Sequence, residues 1–200
     1  MSTARTTELE ATNAILATAG LALATAVPPT GTDGLAAYTA LVEARKRVLS
    51  RGWNFNTEYK VTYTPDGSDN IAVGTDVISI RPSGGDSGRR LAMRGDDVFD
   101  VDENSLTFDA AIELDVVKLL EWVDIPQAAR IYVQYLGAQM FLERQYPDSD
   151  MLRWVGQEML RAGAELERVD ADSASYNLYN NADVAKVFYR GGNGNSVYLD

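Results

Sequence analysis

The residues of this sequence whose type and spacing could do chemistry are a protease-like string and several pairs of acids. The string Gly85-Asp86-Ser87-Gly88 copies the stretch around the nucleophile of chymotrypsin-like proteases, but the 200 residues include no histidine to accept the serine proton. They also include no cysteine, which excludes a thiol nucleophile, a disulfide framework and a thiolate metal site. Any catalysis would depend on carboxylates, lysine, tyrosine or serine alone. We therefore interpret 85–88 as a flexible turn.

Pairs of carboxylates are the remaining candidates for catalysis, for example Glu113 with Asp115 or Asp97 with Asp100. A glycosidase needs two carboxylates about 5–10 Å apart in a cleft, and the sequence establishes neither the cleft nor the distance. Because the chain has 29 acidic residues, such pairs arise readily. The acids in 100–103 lack the central glycine and distal glutamate of a calcium loop, which favours a solvated turn. We predict no enzyme, no metal site and no cofactor.

Composition limits the class of protein further. The net charge is −11 and 46% of the residues are hydrophobic, so the chain can form a core but has no overall basic character for gripping nucleic acid. No apolar run is long enough to span a bilayer, and the first residues lack the apolar core of a signal peptide. We expect a protein that is made in the cytoplasm and has no membrane partner.

One concentrated group of positive charges stands out against this acidity. It consists of Arg45, Lys46, Arg47 and Arg51 near the end of a predicted helix. A solvated helix face with a favourable dipole interaction is one interpretation. The other is an electrostatic contact with an acidic neighbouring subunit, and the sequence leaves both open.

Hydrophobic periodicity predicts four helices. The first three cover 7–19, 35–50 and 126–145. In the first, Thr7 is a candidate cap with Glu10 three residues later. The fourth starts after 146–149 and carries a seam of apolar residues spaced three and four apart, at Leu152, Val155, Met159, Ala162, Leu166 and Val169. Spacing of this kind is typical of a helix packed in a bundle.

Between the second and third helices the period changes to two, which is typical of strands. We predict strands at 55–63, 77–81, 90–94, 98–101 and 112–120, with Gly95-Asp96 as a hairpin turn. The predicted fold class is therefore α+β, a four-helix bundle with a small antiparallel sheet inserted between its second and third helices. The predicted division is a helical bundle of 1–52 and 124–171, a strand block of 53–123 and an extended C-terminal arm of 172–200.

The predicted arm combines polar residues with regularly spaced aromatic residues. Tyr176, Tyr179, Phe188 and Tyr189 are its candidate interaction residues. Disordered spacers usually contain few aromatic residues. The pattern leaves two alternatives open, an arm that becomes ordered on a partner and a loose tail.

Two stretches of the chain are similar to a known family. Residues 8–20 resemble the opening helix of the tail tubular protein A family of short-tailed, T7-type bacteriophages. The string Arg51-Gly52-Trp53-Asn54-Phe55-Asn56 resembles an Arg-Gly-Trp-x-Phe-Asn motif that joins the second helix to the first strand in that family. Weaker similarity follows at 95–100 and 121–126, and the resemblance as a whole covers about 8–169.

The resemblance implies a structural virion protein, an adaptor or gatekeeper that forms a ring of twelve subunits. Its partners would be the portal protein above, the tail nozzle protein below, and DNA that passes through the lumen without specific binding. Twelve copies at −11 place on the order of −130 charges in the ring, which would repel DNA from much of its wall. The alternatives are a head-completion adaptor of another class of tailed phage and a carboxylate-based glycan hydrolase acting on the host envelope.

Overall fold

The structure, a computed structural model, describes residues 5–179 of the chain and the side chains of residues 5–173. Two helices come first, followed by five strands and then two longer helices, so the predicted class α+β is confirmed. The helices are α1 (Glu8–Thr18), α2 (Thr32–Leu49), α3 (Gln127–Gln145) and α4 (Ser149–Tyr179). The strands are β1 (Thr57–Tyr63), β2 (Val77–Pro82), β3 (Leu91–Arg94), β4 (Asp97–Asp100) and β5 (Ile112–Lys118).

Local signals explain where α1 begins and ends. The Thr7 hydroxyl accepts a hydrogen bond from the Glu10 backbone N–H at 3.2 Å, and the Glu10 carboxylate accepts one from the Thr7 N–H at 2.8 Å. This reciprocal capping box satisfies two backbone donors that the first turn of a helix leaves free. Gly20 follows the helix with φ +66, a conformation that glycine adopts without steric cost. The predicted cap and stop of the first helix are both observed.

Helix α3 lies at the centre of the helical part and packs against α1, α2 and α4. Gly137 makes this close packing possible, because a Cβ there would lie 3.0 Å from Ile15 Cδ1 and 3.2 Å from the Leu41 Cα. Val133, Ala138 and other buried side chains of α3 fill the space between the helices.

The five strands form two antiparallel sheets rather than the single sheet that we predicted. One has the order β1-β5-β2, and the other is the β3–β4 hairpin. The hairpin turns at Gly95-Asp96, with Arg94 opposite Asp97 and Gly95 at φ +65, so the predicted turn is observed. A short 3-10 turn at Gly84–Asp86 separates β2 from β3 and redirects the chain out of the first sheet. The protease-like string therefore lies in this connection.

Buried apolar side chains form two clusters. The larger cluster fills the helical part and includes Trp53 and Trp122. The smaller one joins the two sheets, since it includes Val98 of the hairpin together with Leu114 and Val116 of β5. In β5 the buried residues alternate with half-buried ones, as expected for a strand with one face on a core.

Helix α4 extends further than we predicted. The apolar seam ends at Val169, but the helix continues to Tyr179, into the range that we had assigned to an extended arm. Arg168 helps to explain the extension, because it pairs with Glu165 and Asp172 along one side of the helix. Ion pairs of this spacing stabilise a helix whose polar composition alone suggests an arm.

Candidate interaction surfaces and the helix–strand junction

The stretch 51–56 forms the junction between α2 and β1. Trp53 is buried there, donates from Nε1 to the carbonyl of Val48 at 2.8 Å, and stacks on Phe55 with ring centroids 6.3 Å apart. The guanidinium carbon of Arg51 lies 4.6 Å from the centroid of the Trp53 ring. Gly52, at φ +74, provides the sharp turn. The indole therefore fills the joint between helix and strand.

Two asparagines in this stretch connect separate elements. Asn56 is buried, and its side-chain amide donates to the carbonyls of Leu49 at 2.9 Å and Lys118 at 2.7 Å. Asn54 donates its backbone N–H to Asp170 Oδ1 at 2.9 Å and its side-chain amide to Asp170 Oδ2 at 3.0 Å. Asn56 thus links the end of α2 to the end of β5, and Asn54 links the junction to the second half of α4. The motif that carries the resemblance is thus a structural joint.

A second joint, which sequence reasoning missed, lies where α3 begins. Arg130 is buried and donates to the carbonyls of Ile125 at 2.7 Å, Val123 at 2.7 Å and Thr6 at 2.8 Å. The Trp122 indole donates to the same Thr6 carbonyl at 2.9 Å. Burial lowers the pKa of Arg130 from its ordinary value, and nearby Arg5 lowers it further. The sequence did contain one signal for this joint, because Arg130 is a single arginine on the apolar face of the predicted third helix.

The predicted basic group is divided between the interior and the surface. The Arg45 side chain is only 11% exposed and lies 3.4 Å from the Glu121 carboxylate. Arg51 pairs with Glu167 of α4 at 2.9 Å. Lys46 and Arg47 are exposed in the last turn of α2. The structure thus leaves two of the four as an accessible pair and places the other two in contacts within the chain.

The predicted arm residues fall largely outside what the structure describes. Tyr176 and Tyr179 lie in the last turns of α4, and their side chains are not described. Phe188 and Tyr189 lie outside the described residues. The role of these four aromatic residues stays a prediction.

Three of the four acids that we considered for catalysis bond to groups of the fold. Asp115 accepts from the Lys60 N–H at 2.9 Å, and Glu113 accepts from the Gly85 N–H at 3.4 Å. Asp100 is buried, and its carboxylate accepts from Arg89 Nη2 at 2.6 Å and from the Asp102 N–H at 2.9 Å. Its role is to hold a turn.

The electrostatics of Asp100 follow from these contacts. Burial alone would raise the pKa of this carboxyl, but hydrogen bonds from Arg89 and from the backbone of Glu103 and Asp102 outweigh it, so the pKa is lowered. At neutral pH Asp100 is therefore ionised.

Helix α4 exposes apolar side chains on both sides of its buried seam. On one side, Trp154 is 51% exposed and packs in a T-shaped arrangement with Tyr135 of α3, with ring centroids 6.4 Å apart. On the other side, Leu160 is 71% exposed and borders a shallow groove of about 230 Å³. The groove is lined by Tyr132, Met159, Leu160, Gly163, Ala164 and Glu167. Both flanks belong to the α3–α4 pair.

Two adjoining cavities lie at the end of the helical part that is remote from the strands. One, of about 460 Å³, is open to solvent and is lined by residues 22–26 and 29–34, in the connection between α1 and α2. The other, of about 430 Å³, lies between the start of α2 and the end of α3 and is lined by Leu35, Phe141 and Arg144 among others. Leu23 and Leu35 are exposed at this end, which therefore offers apolar surface to a partner.

Charge is unevenly distributed along the chain. Residues 53–123 contain 14 acidic and 6 basic side chains, a net charge of −8. Residues 1–52 and 124–171 together contain 12 acidic and 10 basic side chains, a net charge of −2. The strand-containing part therefore carries most of the negative charge, and the helical part is nearly neutral.

Within residues 5–179, no three acidic side chains are grouped so that they could hold a metal ion. Among the helices described, none combines the length and apolar character needed to cross a membrane.

Comparison with known proteins agrees with the resemblance at the junction. The family model described as tail tubular protein matches residues 9–176, which include both helical parts and the strands. The chain is also 30% identical over 145 residues to tail tubular protein A of Klebsiella phage KP34, an alignment that covers 72% of this chain and 76% of the relative. The chain therefore belongs to the tail tubular protein family and is a structural component of a bacteriophage tail.

Proposed function

We propose that this chain is the subunit of an adaptor ring of about twelve copies that connects the portal protein to the tail nozzle protein. The observation that carries the proposal is the family match, which spans the helices and the strands together. Such a subunit needs no catalytic site, and we propose that the chain has no enzymatic activity. The motif at 51–56, which we expect to be missing from head-completion adaptors of other phages, is the reason to prefer this role.

The proposed orientation follows from the two ends of the molecule. The helices form one bundle whose remote end, with exposed Leu23 and Leu35, faces the portal. The strand block of 53–123 faces the nozzle. Its net charge of −8 repels the DNA backbone, and this repulsion suits a channel wall past which DNA must slide. The two separate apolar clusters support the division into bundle and strand block.

Electron microscopy of the purified protein, alone and mixed with its portal protein, tests the proposal. We expect rings of about twelve subunits, and in the mixture a ring stacked coaxially on the portal. Protein that stays monomeric under both conditions, or that forms open filaments, would contradict an adaptor ring. An acidic protein without affinity for the portal serves as the control for non-specific association.

A further inference from the structure

We propose that neighbouring copies of this chain pack side by side along α3 and α4, with Trp154 of one copy seated in the groove beside Leu160 of the next. The proposal rests on the oligomeric ring proposed above and identifies the contact that would build it. Its starting point is the presence on one helix pair of two different apolar surfaces, each without a covering element among the described residues.

The first surface is an aromatic protrusion. Trp154 is 51% exposed, although an indole is among the largest apolar groups that a protein can bury. Tyr135 of α3 packs against it in a T-shaped arrangement. Ile131, one helical turn from Tyr135, is 37% exposed. Half-exposed tryptophans of this kind are enriched among the residues that contribute most to protein–protein binding.

The second surface is the groove on the other flank. Its lining combines the small residues Gly163 and Ala164 with the larger side chains of Tyr132, Met159, Leu160 and Glu167. A Cβ on Gly163 would lie 3.2 Å from Tyr132 Cε2, so this glycine lets the tyrosine ring lie against the backbone of α4. The groove is thus an apolar depression with room for a side chain from another molecule.

The two surfaces point in different directions. At about 100° per residue, Trp154 lies roughly 100° to one side of the buried Val155 and Leu160 roughly 140° to the other. A contact between them cannot be two-fold symmetric, because each copy contributes a different surface. Repetition of such a head-to-tail contact gives a ring when the rotation between copies closes. Protrusion and groove therefore suit a second copy in a ring.

The distribution of charge favours the same surface. Copies that each carry −11 repel one another, so they associate most readily where charge is balanced. The helical part has a net charge of −2, against −8 for residues 53–123. On α4, the acids beside the two surfaces are paired within the chain, Asp150 with Arg153, Glu158 with Arg161, Glu165 with Arg168, and Glu167 in the groove with Arg51.

Three variants test the contact by sedimentation velocity and electron microscopy. Trp154→Ala removes the protrusion, and Ala164→Arg fills the groove. Val123→Arg is the control, because Val123 is 70% exposed on the segment between β5 and α3. We expect wild type and the control to form rings. Each of the other two variants should need more than about tenfold higher protein concentration to assemble.

A mixture of the two variants gives the sharpest result. Trp154→Ala keeps an intact groove and Ala164→Arg keeps an intact Trp154. In the mixture, Trp154 of an Ala164→Arg copy can therefore enter the groove of a Trp154→Ala copy, but the reverse contact cannot form. We expect the equimolar mixture to form dimers but no rings. Rings formed by both variants at the wild-type concentration would overturn the proposed contact and leave the adaptor ring standing. Wild type that forms no ring, alone or with the portal, would overturn the proposed function itself.

Melting temperatures show whether each variant folds. If Ala164→Arg unfolds the subunit, Leu160→Glu replaces it, because that side chain is 71% exposed and contributes little to the fold of a monomer. We expect Leu160→Glu to prevent assembly with a wild-type melting temperature. Normal ring formation by this variant would contradict the proposal.

Discussion

The guanidinium of Arg130 donates from Nη1 to the carbonyl oxygen of Thr6 at 2.8 Å, across 124 positions of the sequence. Thr6 immediately precedes the capping residue of α1, and Arg130 lies in the first turns of α3. Since the same guanidinium also binds the carbonyls of Ile125 and Val123, it holds the segment before α1 against the segment that leads from the strands into α3. One buried cation therefore helps to hold the start of α1 against the start of α3.

Replacing Arg130 by methionine should destabilise the subunit by about 3 kcal/mol or more. The substitution keeps much of the side-chain volume but removes the donor from the carbonyls of Ile125 and Val123, and hydrogen bonds to charged groups contribute about 1.5–3 kcal/mol each. Urea unfolding measures the change. Arg144→Met is the matched control on the same helix, because Arg144 forms an exposed pair with Glu43 that should contribute less than about 1 kcal/mol. Equal losses in both variants would show that the buried position of Arg130 has no special role.

Trp53→Ala should lower the free energy of unfolding by about 3–5 kcal/mol, because it opens a cavity at the joint between α2 and β1 and removes the bond to Val48. Trp154→Ala, measured on dilute monomer, should cost much less since its side chain is half-exposed. Thermal melting of both variants gives the comparison. An unchanged melting temperature for Trp53→Ala would mean that the indole does not support the joint.

Local patterns in the sequence were sufficient to predict the number and order of the helices and strands, but not the full length of α4. The cap at Thr7, the stop at Gly20 and the hairpin at Gly95-Asp96 each depend on residues within a few positions of one another, so they can be read directly from the sequence. The buried position of Trp53 was also predictable. A large aromatic side chain next to a glycine at the end of a helix can be buried where the helix meets the next strand.

Contacts between distant residues could not be predicted in this way. The bonds of Asn54 to Asp170 and of Arg130 to Thr6 join residues more than 110 positions apart, and nothing local indicates them. Arg45, Lys46, Arg47 and Arg51 are neighbours in the sequence, but they do not form one basic surface in the folded protein. Folding places Arg45 beside Glu121 and near Glu8, so reversing its charge should destabilise the subunit, which would not be expected of a residue on a solvated helix face.

The Asp100 carboxylate predicts how stability depends on pH. Its pKa is lower in the folded protein than the ordinary aspartate value of about 3.9, so the stabilisation is fully present above that value. As the pH falls through the lower folded-state pKa, the stabilisation is lost. Asp100→Asn should therefore cost about 2 kcal/mol at pH 7, and the difference from wild type should shrink below about pH 4. Urea unfolding at several pH values measures it.

Asp102→Asn is the control for this titration, because Asp102 is more exposed and pairs with the exposed Arg90. Its effect at pH 7 should be below about 1 kcal/mol. If the difference between Asp100→Asn and wild type stayed constant from pH 7 to pH 2, the titrating group would lie elsewhere.

Removal of residues 176–200 should leave the monomer nearly as stable as wild type but weaken assembly with the tail partners. The buried seam residues Val155 and Leu166 and the contact of Asp170 with Asn54 all precede the cut. We expect a change in the free energy of unfolding within about 0.5 kcal/mol. A shorter truncation of 191–200 retains Tyr176, Tyr179, Phe188 and Tyr189 and serves as the control. Unfolding of the longer truncation would show that these residues belong to the core of the monomer.

Reversal of Lys46 and Arg47 to glutamate tests the accessible part of the basic group. Both side chains are exposed in the last turn of α2, so the double variant should lose only about 1 kcal/mol of stability, through the helix dipole. If the pair faces an acidic neighbour or the portal, the variant should bind more weakly at low salt. The loss should shrink as salt is raised, since the Debye length is about 8 Å at physiological ionic strength.

The matched control for this reversal is the double variant Lys60→Glu with Arg81→Glu, which makes the same change in net charge at exposed positions of the strand block. A general effect of added negative charge would weaken binding equally in both double variants. A specific contact would weaken binding only when Lys46 and Arg47 are reversed. Binding by that variant at the wild-type level in low salt would mean that the pair is a solvated helix face, stabilised by the C-terminal dipole of α2 and not by a partner.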